Sequence, residues 1–196
     1  MRTHVALIAA AVAVAGITSG ARASLWTFDA NMDGPSESPP NASPGTGFAT
    51  IVYDDTAHTL QVDMTFSGLL GTTTASHIHA ATAAAGTGTA GVATTTPYFT
   101  GFPLGVTSGA YDTTLDLTQA SSYNPSYVTL NGGTTAGAEA ALAAAMFADK
   151  SYLNIHTTVV PGGEIRGFLV LVSPEPASLV LMGLGGAGLL MRRRRT

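Results

Sequence analysis

Between Thr59 and Phe66, Leu60, Val62, Met64 and Phe66 alternate strictly with Gln61, Asp63 and Thr65. Successive side chains leave a strand on opposite faces, so a period of two demands a β-strand with one face in a core and the other in water. A helix would scatter the same residues around its axis. Just upstream, across the polar stretch Asp54 to His58, lies Gly47-Phe48-Ala49-Thr50-Ile51-Val52-Tyr53. The two runs read as a β-hairpin.

The same reasoning marks further strands at Ala75 to Ala80, Val92 to Thr95, Thr113 to Leu117, Tyr152 to Thr157 and Ile165 to Val172. Pro161-Gly162-Gly163 supplies the turn between the last two. Residues 24–46 are expected to open as a short strand through Leu25, Trp26 and Phe28. They then wander as a loop, because Asp29, Asn31, Asp33, Gly34 and four prolines are poor strand material. Ala136 to Ala148 is the one convincing helix, with Leu142, Met146 and Phe147 available for burial and Thr134 or Thr135 as its cap. Many short strands and one short helix predict a mainly β fold, an antiparallel β-sandwich or barrel. The chain has no cysteine, which excludes disulfide staples and thiolate metal sites, so an apolar core must hold the domain together.

Both ends differ from this middle. Arg2 is followed by an apolar stretch from Val5 to Ile17 and then by Ala21-Arg22-Ala23, a small-x-small site that predicts signal-peptidase cleavage before Ser24. Residues 1–23 are thus expected to be a signal helix. At the other end Pro174, Glu175 and Pro176 precede an apolar run from Ala177 to Met191, closed by Arg192, Arg193, Arg194 and Arg195. Four arginines after an apolar run stop transfer and stay cytoplasmic. At about 1.5 Å per residue the run falls short of a ~30 Å hydrocarbon core, so it is expected to anchor the chain in the inner membrane only temporarily.

Residues 174–196 closely resemble the PEP-CTERM sorting signal of Gram-negative bacteria. That resemblance implies removal of the tail by an exosortase-type membrane protease, delivery to the cell surface or extracellular matrix, and exopolysaccharide or matrix components as partners. Between the two ends, eleven carboxylates stand against Lys150 and Arg166, a formal charge near −9. With no basic patch to meet a phosphate backbone, nucleic-acid binding is excluded.

Within the domain, Ser76-His77-Ile78-His79, Tyr152-Leu153-Asn154-Ile155-His156-Thr157 and Pro161-Gly162-Gly163-Glu164-Ile165-Arg166-Gly167 together resemble the CHRD domain, first named from chordin. The resemblance covers 47–173 and implies a structural motif at Asn154, Gly163, Glu164 and Arg166. The family has no assigned reaction in bacteria, so the residues themselves must speak for chemistry.

His77 and His79 share a strand face, and His156, on a face with Asn154, could join them. Three imidazoles suit copper or zinc. The alternative is three core histidines bonded to backbone carbonyls or to Asn154, bracing the sheet with no cofactor. The His-x-His strand and the Gly-x-x-Arg-Gly stretch also resemble copper-zinc superoxide dismutases, although the disulfide and a zinc loop are lacking. Glu164 and Arg166 share a strand face and are expected to form exposed ion pairs, with each other or with neighbours, and His58 to be solvated. Asp29, Asn31, Asp33 and Glu37 lack the spacing of a calcium loop and are expected to be solvated. Gly86-Thr87-Gly88-Thr89-Ala90-Gly91 matches a nucleotide fingerprint by letter only, because no buried strand precedes it and no helix follows. Asn41-Ala42-Ser43 is a glycosylation sequon that a bacterial exporter would not read. Two readings follow. One is a noncatalytic exported envelope or matrix protein with a binding or structural domain; the other is a copper- or zinc-binding redox protein using His77, His79 and His156.

Overall fold

The computed structural model describes residues 25–172. The signal segment with its cleavage site at Ala21, Ala23 and Ser24, and the tail from Pro174 to Arg195, lie outside the described residues. Among the described residues no helix is long and apolar enough to cross a membrane.

Eight strands form in the order β1 (Leu25–Asp33), β2 (Thr46–Asp54), β3 (Thr59–Ser67), β4 (Thr73–Ala80), β5 (Gly109–Asp116), β6 (Ser151–Thr157), β7 (Ile165–Phe168) and β8 (Val170–Val172). They make one antiparallel sheet ordered β4-β6-β7-β1-β2-β3-β5, with β8 also paired to β1. Leu60 and Met64 near one edge and Ile78 at the other belong to one apolar cluster with Phe28, Ile51 and Ile155. A flat sheet would hold these residues apart, so this one curls around its core. The mainly β, antiparallel architecture agrees with the alternating pattern.

The β2–β3 hairpin forms as expected. Asp54 Oδ1 accepts from the backbone N–H groups of Thr56 and Ala57, and His58 completes the turn with φ 55°. α1 (Pro125–Leu130) and α2 (Thr135–Phe147) link β5 to β6, after one 3₁₀ turn at Ala120–Ser122. Thr134 caps α2 by accepting from Gly137 N at 3.1 Å. The buried face of α2 is Ala138, Leu142, Ala145 and Met146, at helical spacing. Phe147 stays half-exposed, its ring edge-on to Trp26 and Phe28.

Several expectations need correction. β1 runs its full nine residues because Phe28, Ala30 and Met32 alternate inward while Asp29, Asn31 and Asp33 turn outward. The acidic residues masked a period-two pattern that was present. Val92 and Thr94 make only isolated bridges, to His79 and Tyr123. The final strand breaks at Leu169, whose buried side chain enters the core while its N–H donates to Ser151 O on β6. That switch lets β7 pair with β6, and β8 with β1.

Candidate metal centre

Neighbouring strands β4, β6 and β7 send Ile78, Leu153, Ile155 and Ile165 into the core. Period two then puts His77, His79, Tyr152, Asn154, His156, Arg166 and Phe168 on the opposite face. Antiparallel register sets His77 across from Asn154, His79 across from Tyr152, and Asn154 across from Arg166. This outer face is roofed by the loop 81–99, by the turn before β7 and by the segment after β1. A glycine is required at Gly163, where φ is +128° and a Cβ would stand 2.5 Å from Glu37 Oε1 and 2.9 Å from Asn154 Nδ2.

The three histidines meet here, as the spacing predicts, with ring centroids 5.3 to 6.2 Å apart. Each gives one ring nitrogen to a backbone carbonyl: His77 Nε2 to Pro97 O at 2.6 Å, His79 Nδ1 to Ala90 O at 2.9 Å, and His156 Nδ1 to Pro161 O at 2.8 Å. A carbonyl only accepts, so the proton sits on the bonded nitrogen and the other nitrogen is a bare lone pair. His77 Nδ1, His79 Nε2 and His156 Nε2 are buried without a hydrogen-bond partner and lie within 4.8 Å of one another. Bonds of ~2.0 Å to one tetrahedral ion would bring such nitrogens to about 3.3 Å apart, a closure of about 1.5 Å by ring rotation.

Burial holds all three imidazoles below their ordinary range, with His77 pushed down to about 4. Removal from water is the main cause, since it disfavours the charged ring. The three rings are therefore neutral at neutral pH. Backbone carbonyls serve as outer partners that fix tautomer and ring direction, which is how metal-bound histidines are commonly held.

The surrounding residues depart from expectation. Glu164 and Arg166 do not pair with each other, and neither is exposed. Glu164 accepts from Ser43 Oγ at 2.6 Å, Leu70 N at 2.5 Å, Gly71 N at 3.1 Å and Thr157 Oγ1 at 2.6 Å. Burial opposes its charge, yet these four donors hold the carboxyl below the usual range. Arg166 donates from Nε to Ser36 O and from Nη1 to Gly88 O at 2.8 Å. Its guanidinium stacks 4.7 Å from the Tyr152 ring, and that ring lies flat on His79 at 4.7 Å.

Glu37 is buried beside Arg166, 3.8 Å from Nε, and is not solvated. Asp29 accepts from Thr50 Oγ1 and Asp33 from Ser36 N, so the acidic residues disperse. The glycine fingerprint is loop, as expected, but its Gly88 and Ala90 carbonyls help roof the site. His58 is not merely solvated: its Nδ1 lies 2.9 Å from Glu139 Oε1. Sequence reasoning missed Glu37, Glu139 and Tyr152. Only the period-two position of Tyr152 opposite His79 could have signalled one of them.

A curled antiparallel sheet bearing a buried histidine cluster on its loop-covered outer face defines a mainly β domain. Residues 28–169 match the CHRD domain model, well over half of the chain, and the chain belongs to the CHRD-domain family. Residues 174–195 match the PEP-CTERM protein-sorting motif. That motif marks an exported protein, directed to the cell envelope or surface and processed by an exosortase. No curated protein and no solved structure matches the chain.

Proposed function

We propose that the chain delivers a noncatalytic transition-metal-binding domain, for copper or zinc, to the bacterial cell surface or its matrix. The observation that carries this reading is the set of three mutually facing lone pairs on His77, His79 and His156. Three acceptors turned toward one another with no hydrogen between them repel, and a cation is what relieves them. The carbonyl bonds alone would brace the sheet, and the second, unpartnered nitrogens are what a purely structural role leaves unexplained. Binding without turnover is favoured by Glu164, whose carboxylate is saturated by four donors and is not free to serve as a general base. The tail holds the domain at the inner membrane until it is removed, and intact-mass measurement of the surface-exposed protein is expected to find a C-terminus near Pro174.

Metal analysis of the purified intact chain tests the binding reading. One copper or zinc per chain is expected, with loss in His79→Ala. Stoichiometric metal retained by that variant, or none bound by the wild type, overturns it.

A further inference from the structure

Three imidazoles leave a first-row ion at least one position short of the four ligands it ordinarily takes. One more buried acceptor without a partner lies on the same strand face as the histidines, Asn154 Oδ1. Asn154 is 2% exposed, lies directly across from His77 and shares a strand face with His156. Its other end is turned away. The place of a Cβ on Gly163 is 2.9 Å from Asn154 Nδ2 and 2.5 Å from Glu37 Oε1, so the amide nitrogen lies on the Gly163 side. The oxygen is thereby left without a hydrogen-bond partner on the face that carries the histidines.

Resting on the metal reading, we propose that the centre takes one small exchangeable ligand bearing a hydrogen, of the class of water, hydroxide or a hydroperoxide, and that Asn154 Oδ1 accepts that hydrogen. The same oxygen opposes small anions that carry no hydrogen, since two electron-rich groups would then face each other across a dry site. The nearest cation does not offset this, because Arg166 is directed to Ser36 O and Gly88 O. A protic ligand resolves both deficits, giving a lone pair to the metal and a hydrogen to the amide oxygen. Asn154 is in this respect a specificity-determining residue and not a metal ligand.

The test uses the intact chain loaded with copper(II). In ¹⁷O-enriched water its electron paramagnetic resonance lines are expected to broaden, which reports an exchangeable water on the metal. Azide, an anion without a hydrogen, is expected to bind the wild type weakly and Asn154→Leu about tenfold more tightly. Asn154→Ser, which also removes the amide, is expected to move azide affinity in the same direction and serves if the leucine variant does not fold. A three-nitrogen copper spectrum with unbroadened lines means a closed site and overturns the proposal while leaving the metal reading intact. Unchanged azide affinity in a folded variant overturns the role of Asn154. Absence of a stoichiometric copper signal refutes the underlying metal reading.

Discussion

The molecule holds two histidine environments built on opposite rules. At the end of the β2–β3 hairpin, His58 meets a carboxylate: Glu139 on α2 contacts its Nδ1 and also accepts from Tyr53 Oη at 2.9 Å. There the hydrogen bond and charge of Glu139 raise the His58 pKa, so the ring is drawn toward its charged form. On the outer face of β4 and β6, three imidazoles hydrogen-bond to backbone carbonyls and meet no carboxylate partner, and burial keeps them neutral. A carboxylate partner makes a histidine half of an ion pair, whereas a carbonyl partner leaves it with a free lone pair. Only the second arrangement leaves ring nitrogens without a hydrogen-bond partner.

The largest effect expected from this contrast is metal-linked. At a free metal concentration 100 times Kd, stability should rise by about 2.7 kcal/mol, read as an increase in Tm. The rise should survive in His58→Ala and vanish in His77→Ala; survival in both would erase the distinction. Next comes the carboxylate side. Glu139→Leu should cost about 1–3 kcal/mol in denaturant unfolding, because Tyr53 Oη loses its buried partner. His58→Ala should cost far less, since its ring is half-exposed and screened by solvent.

The smallest effects are in pH dependence, and their signs are opposite. The folded pKa of His77 lies near 4, below the ordinary 6.5, so its contribution is complete above pH 6.5 and lost as pH falls toward 4. His58 has a raised pKa, so its contribution is present below pH 6.5 and lost as pH climbs past the raised value. Unfolding midpoints measured across both windows should fall on the acid side in His58→Gln as in wild type, while the alkaline-side loss disappears. An unchanged alkaline limb in His58→Gln would break the assignment.

Much of this was legible in the sequence, for physical reasons that differ by element. Leu60 to Phe66 declared β3 through its period, and Ala136 to Ala148 declared α2 through propensity and a threonine cap. His77 and His79 could be placed on one face by counting alone, whereas His156 joined them through the β4–β6 pairing, which no local pattern announces. What stayed hidden depended on distant pieces of chain. Glu37 entered the interior through Arg166, 129 positions later, and Glu164 was wrapped by donors from positions 43, 70, 71 and 157. No local pattern announces such meetings, because they are made by loop closure and not by periodicity.

The three carbonyls that hold the imidazoles belong to Ala90, Pro97 and Pro161, in segments of alanine, glycine, threonine and proline with little to distinguish them. A peptide oxygen is the same whichever residue carries it. The loop 81–99 can therefore drift in its letters while keeping its length and path, and the centre would be inherited intact. In this part of the chain, selection would act on insertions and deletions more than on substitutions. Searching relatives for invariant loop residues would overlook the support of the site, whereas comparing loop lengths would find it.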